Sequence, residues 1–196
     1  MRATQERHVP RALNNRLMKG AEQPMSFISR FLGIGKDPRE QLRPLWHAVV
    51  ATSREPEWYA ECHVEDTVEG RYDMIALVLA LTLLRMESSE DLAPKTGLLT
   101  ELFVADMDRQ LRDSGVGDLM VGKKMGTLMS ALGGRLGSLR KALGEPGDAD
   151  LAQALDRNMR VTADGLPMAL AARTRALHRD LAAQSDAALL EGTLRA

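Results

Sequence analysis

The feature that most constrains this chain is an apolar run from Met74 to Leu84, in which Thr82 is the most polar residue. The run is far shorter than the roughly 20 residues that a helix needs to cross a bilayer. Its composition is typical of a helix that is buried on all sides. We therefore predict a central helix from about Asp66 to Met86, with the remaining elements packed around it.

The composition favours helices for those remaining elements. The chain has 196 residues, and 44% of them are apolar, which fits one domain with a sizeable core. Eleven methionines stand against seven aromatic residues, so Leu, Ala, Met and Val must fill the core, and this mixture favours helix over sheet. We predict an all-α, compact single-domain helical bundle of about six to eight helices.

Apolar residues recur at helical spacing along most of the chain, and Gly, Pro and Asp separate the stripes. One helix besides the central one is predicted to begin near Asp37, with Pro38 in its first turn. The others are predicted over about 57–62, 99–113, 125–143, 149–162 and 166–184. Gly126, Gly133 and Gly137 interrupt one stripe, each at a cost of roughly 1 kcal/mol relative to Ala. The usual compensation is close approach of another backbone.

The first 36 residues differ from the rest. Residues 1–24 are basic and lack apolar periodicity, which predicts a disordered arm before a physiological start at Met25; a transit peptide or contact with an anionic partner are alternatives. Residues 25–36 form a short amphipathic segment, predicted either to lie in a membrane interface or to dock on the domain. Its apolar residues are Phe27, Ile28, Phe31 and Leu32. The helical domain is predicted over 37–184, followed by a C-terminal tail over 185–196.

Charge and cysteine content narrow the classes of partner and compartment. The formal net charge of −1 gives no general attraction to nucleic acid, so we predict no DNA partner. Cys62 is the sole cysteine, which excludes an intramolecular disulfide and indicates a reducing compartment.

Motifs for catalysis are weak. Gly117, Gly122 and Lys123 have the spacing of a phosphate-binding loop, but Lys124 replaces the hydroxyl residue that holds magnesium. Asp106 and Asp108 are two apart on a helix and point to nearly opposite sides. Cys62 and His63 have no further zinc ligand at suitable spacing. We predict no catalytic residue, no metal and no cofactor.

Methionines suggest a surface for apolar partners. The unbranched thioether repacks around varied apolar groups, so a methionine-lined groove suits a binding protein. The residues that would line such a groove are Met107, Met120, Met125 and Met129. Ordinary core filling is the alternative.

Two motifs resemble one family. The first is an Asp-Thr-x-x-Gly-Arg-aromatic-acidic pattern over 66–73. The second is an acidic-Met-Asp segment at 106–108 that leads to a Gly-Val-Gly-Asp turn at 115–118. Lys123 and Lys124 follow this turn. Together they resemble the ubiquinol–cytochrome c chaperone family, and the similarity extends over about 39–183. Val78 departs from the pattern, since relatives are expected to have a histidine there.

The resemblance implies a non-enzymatic chaperone for assembly of the ubiquinol–cytochrome c reductase, with newly made cytochrome b or another membrane protein as its client. A bacterial protein on the cytoplasmic side, peripherally associated with the inner membrane, fits better than one of the mitochondrial matrix. The mitochondrial members of the family act with a small partner protein and contact the ribosome, so the resemblance gives the ribosome as a further candidate partner. The predicted partner-binding residues are Asp66, Arg71, Tyr72, Asp73, Asp106, Asp108, Arg112, Asp118, Lys123, Lys124 and Arg135.

Two rival functions remain at this stage. A ribosome- or RNA-associated module would use the basic helix that carries Lys123, Lys124, Arg135, Arg140 and Lys141, and its RNA binding would fall steeply with salt. The other rival is a helical enzyme or tetrapyrrole binder.

Overall fold

A computed structural model describes residues 37–195 of the chain. Its α-helices, in chain order, are α1 (Arg43–Ser53), α2 (Glu57–Ala60), α3 (Val68–Glu87), α4 (Thr96–Asp113), α5 (Asp118–Gly144), α6 (Ala149–Asn158), α7 (Met168–Ala183) and α8 (Asp186–Leu190). Short 3-10 helices at Glu40–Leu42 and Ala93–Lys95 precede α1 and α4. Over the described range there is no strand, which confirms the predicted all-α bundle. None of these helices combines the length and the apolar character that crossing a membrane requires.

Helix α3 is the centre of the bundle, as the apolar run predicts. Every residue from Met74 to Leu83 is buried, and α1, α5 and α7 pack around the helix. Thr67 begins it by accepting a hydrogen bond from the Gly70 amide at 3.1 Å. Gly70 is required there, because a Cβ atom would overlap the backbone carbonyl of Glu65.

Helices α1 and α4 are held together by aromatic packing. The Trp46 and Phe103 rings meet edge to face, with centroids 6.1 Å apart. Pro44 lies in the first turn of α1, where its missing amide costs no hydrogen bond. Trp58 of α2 donates to the Thr52 carbonyl at 2.7 Å, so α2 is fixed against the end of α1.

The chain beyond α4 forms the other side of the bundle. Helix α5 is the longest element, and it buries Val121, Leu132 and Leu139. Helix α6 ends at Asn158, four residues before the predicted end. The cause is a single antiparallel bridge between Val64 and Val161, which draws the chain away from helical geometry.

The segment predicted as a tail extends the packed domain beyond residue 184. Leu189 and Leu194 are buried, and Arg85 of α3 binds Asp186 at 2.7 Å and the Gln184 carbonyl at 2.8 Å. Gly192 has a φ of +91° and lies so close to Pro44 that a Cβ atom would be 2.9 Å from its carbonyl oxygen. Apolar burial and these contacts hold the segment in place.

Candidate partner-binding surfaces

The residues predicted to bind a partner lie in several separate places. The predicted membrane-contact residues Phe27, Ile28, Phe31 and Leu32 lie outside the described residues. The others divide into one internal ion-pair cluster, exposed pairs near the starts of α3 and α5, and positions along α5.

Asp73 and Arg135 join α3 to α5 inside the protein. The Arg135 side chain is only 3% exposed and donates to Asp73 at 3.0 Å and to the carbonyl of Asn158. The other oxygen of Asp73 accepts from Arg160 at 2.9 Å. Burial lowers the pKa of Arg135. The side chains of Asp73 and Arg135 thus bind each other within the domain and leave little surface for a partner.

Asp66 and Arg71 form an exposed pair before and within the first turn of α3. Their side chains are 2.7 Å apart, and the hydrogen bond from Arg71 lowers the pKa of Asp66. Tyr72 is half-buried, and burial raises the pKa of its hydroxyl. Of the first motif, therefore, Asp66 and Arg71 present charge to solvent, whereas Tyr72 and Asp73 face the domain.

The second motif forms an ion-pair network at the turn between α4 and α5. Arg112 binds Asp108 at 2.7 Å and also binds Asp118, so it ties the end of α4 to the start of α5, and both carboxylates raise the pKa of Arg112. Asp106 points elsewhere and binds Arg109 at 2.6 Å. The network is exposed to solvent, so its pairs contribute little to stability.

The four methionines do not line one groove. Met107 is fully buried in the core, whereas Met120 is 47% exposed on the first turn of α5. Met125 and Met129 are half-buried against the core. Met107 therefore fills the core, in agreement with the alternative reading.

The outer face of α5 is open. A Cβ atom added at Gly122, Gly126, Gly133 or Gly137 would meet no atom within 4 Å among the described residues. The close backbone neighbour expected for these glycines is thus absent from the described domain. Leu119, at the start of the same helix, is 91% exposed.

The basic residues of α5 are less available than the sequence suggests. Lys123 and Lys124 are exposed, but Arg135 is buried and Arg140 binds Glu87 of α3 at 2.6 Å. Two of the five cations that would form an RNA-binding helix are therefore engaged within the domain, which weakens that rival.

A cleft that the sequence did not predict lies between α1 and α4. Its volume is about 880 Å³, and Arg39, Arg43, His47, Arg54 and Arg109 line it. A signal was available, since Arg43, His47 and Arg54 recur at helical spacing on the polar side of α1. The opposite wall comes from α4, which the sequence does not pair with α1.

Comparisons with known proteins agree with the motifs. The model of a family described as ubiquinol-cytochrome C chaperone matches residues 60–196. The chain is also similar to the crystal structure of the Cbp3 homolog from Brucella abortus, with 31% identity, a TM-score of 0.68, and coverage of 85% of this chain and 93% of that chain. No curated protein matches in sequence. These matches confirm the resemblance, and the chain belongs to the ubiquinol–cytochrome c chaperone family.

Proposed function

We propose that this protein is a non-enzymatic chaperone that binds newly made cytochrome b during assembly of the ubiquinol–cytochrome c reductase. It acts on the cytoplasmic side of the inner membrane and receives the client on the outer face of α5. Membership of the chaperone family supports the assembly role. The open glycine face of α5 is the observation that supports the location of the client.

The physical reason for placing the client on this face is the free energy that glycine costs within a helix. Each costs roughly 1 kcal/mol relative to Ala in a helix interior. No atom of the described domain approaches them, so packing within that domain does not offset the cost. A second helix backbone against this face would offset it.

The spacing of the glycines suits an apolar helix as the client. Gly122 and Gly126 are four residues apart, as are Gly133 and Gly137, so each pair lies on one side of α5. Small residues at this spacing let two helices pack at close range, as they do within membranes. Exposed Leu119 extends the apolar contact, and Lys123, next to Gly122, lies at the edge of this face, where it would bind acidic or carbonyl groups. Lys124 is two residues from both Gly122 and Gly126 and points away from the glycine face.

Blocking the glycine face tests this assignment. The double variant Gly126→Leu/Gly133→Leu is expected to be at least as stable as the wild type. Leucine has the better helix propensity, and a Cβ atom at either site meets no atom of residues 37–195 within 4 Å. In a strain that lacks the gene, it should fail to restore cytochrome b levels and reductase activity. Gly97→Leu on α4 is the matched control, since that glycine also has no neighbour within 4 Å among the described residues. Normal reductase levels with the double variant would contradict the assignment.

The lysines are tested separately. Lys123→Glu/Lys124→Glu should lower reductase assembly, and Lys141→Glu, at an exposed position near the other end of α5, should not. If reversal of both lysines left assembly unaltered, charge would have no part in client binding.

A further inference from the structure

We propose that the cleft between α1 and α4 is a second binding site, which takes an acidic polypeptide segment with an apolar side chain. The site is separate from the outer face of α5 and does not depend on the client proposed there. Charge, shape and the nature of the cleft floor lead to this inference.

The charge of the cleft contrasts with that of the whole chain. Four arginines and one aspartate line it, whereas the formal net charge of the whole chain is −1. Arg43 binds Glu40 at 2.7 Å, and its side chain is still 47% exposed. The aspartate, Asp106, already binds Arg109 at 2.6 Å, and the side chain of Arg109 is still 73% exposed. Arg54 is exposed, and its guanidinium makes no ion pair or hydrogen bond with the residues the structure describes. The local field therefore favours an anionic ligand.

A second depression adjoins the cleft at Arg54. Arg54 also lines a neighbouring depression of about 570 Å³, together with Tyr59, Asp66 and Arg71. Asp66 in that depression is paired with Arg71 at 2.7 Å. The two depressions share Arg54 as a lining residue, and an extended chain that passes this arginine would contact both.

The floor of the cleft is apolar and firmly held. Leu102 and Trp46, each 5% exposed, form it together with half-buried Val50, and Trp46 packs edge to face on Phe103. At the end of α1, the Tyr59 hydroxyl donates to the Ser53 carbonyl at 2.8 Å, which holds the backbone next to Arg54. An apolar side chain would cover the floor while carboxylates bind the arginines on the rim.

These features favour a polypeptide over the other anionic partners. A flat bilayer surface would meet the arginines on the rim but leave the recessed floor uncovered. Single-stranded RNA binds by stacking its bases on exposed aromatic faces, whereas Trp46 is only 5% exposed and Tyr59 of the neighbouring depression is half-buried. A peptide satisfies both the rim and the floor.

Fluorescence anisotropy of the full-length protein tests the proposal. The probe is a fluorescein-labelled peptide of glutamates that flank one central leucine. It should bind at low salt and weaken as salt rises, and the same peptide with glutamine in place of glutamate should bind at least about tenfold more weakly. The variant Arg43→Glu/Arg54→Glu should also weaken binding by at least about tenfold.

The controls make the result specific to the cleft. Arg157→Glu/Arg179→Glu reverses two exposed arginines on α6 and α7 and should leave peptide binding unchanged. A photo-crosslinking residue at Ala51, an exposed position in the cleft, should capture the acidic peptide, and this readout holds if the charge-reversed variant fails to fold. The proposal is overturned if the wild type does not bind the acidic peptide. It is also overturned if phosphatidylglycerol vesicles or single-stranded RNA bind more tightly and lose that binding in Arg43→Glu/Arg54→Glu.

Discussion

Replacing Asp73 with alanine separates a structural role from a binding role. Asp73 lies within a motif shared with the family, so the sequence predicts that it contacts a partner. In the structure it is the counter-charge of Arg135, at 3.0 Å. Asp73→Ala would leave that guanidinium buried, with the carbonyl of Asn158 as its remaining polar partner. We expect a large loss of stability.

The size of the expected loss in the free energy of unfolding follows from the burial of Arg135. Removing one member of a buried ion pair typically costs about 3–5 kcal/mol, because the other charge stays out of water without compensation. The Arg135 side chain is 3% exposed, so the full range applies. Asp66→Ala removes a carboxylate of the same motif from a pair that is more than half exposed, and should leave the unfolding midpoint close to that of the wild type. A domain is typically stable by only about 5–15 kcal/mol, so the two variants are easily distinguished.

Urea unfolding followed by circular dichroism measures both free energies of unfolding. The double variant Asp73→Ala/Arg135→Met should be more stable than Asp73→Ala, because methionine removes the uncompensated charge and keeps most of the buried volume. If Asp73→Ala unfolded at the wild-type midpoint while reductase assembly failed, Asp73 would act on a partner, and the structural interpretation would be wrong.

Three further predictions concern stability. Gly70→Ala should lower the free energy of unfolding by about 1–3 kcal/mol in urea titrations, because the added methyl group overlaps a backbone carbonyl. Burial lowers the pKa of His178, so below about pH 6.5 the unfolded chain binds a proton that the folded chain does not. Stability should therefore fall as pH decreases from 7 to 5, and His178→Gln should flatten that dependence. Arg85→Ala removes hydrogen bonds to Leu181, Gln184 and Asp186, and should make the C-terminal segment susceptible to limited proteolysis.

Much of the fold could be predicted because local patterns and long-range packing agree. The apolar run at the centre of the chain predicts a helix over about 66–86, and α3 spans Val68–Glu87. Its composition also predicts burial on all sides, which is observed. The structure of the C-terminal segment was harder to predict. Helix α8 has only five residues, and its position depends on Arg85, about a hundred residues earlier in the chain.

The binding surfaces were less predictable, and two residues show why. Arginine on a helix is usually exposed, so nothing local indicates that Arg135 is buried; its partner Asp73 is 62 residues away in sequence. Met107 and Met120 carry the same side chain on successive helices, yet one is in the core and the other is 47% exposed. Only the packing of helices decides these environments.

The cleft between α1 and α4 illustrates the same limit. The arginines of α1 are visible in the sequence at helical spacing, but the opposite wall is not. Arg54 and Arg109 line the same cleft although 55 positions separate them. The Trp46–Phe103 contact that brings the two helices together is a property of the folded bundle.

Site-specific crosslinking in cells addresses the client surface most directly. A photo-crosslinking residue replaces Gly126 on the open face of α5 in one strain and Gln153, an exposed residue of α6, in another. After irradiation during new protein synthesis, we expect cytochrome b to be attached at position 126 and not at position 153. Attachment at 153 alone, or attachment of cytochrome b at neither position, would contradict client binding by α5.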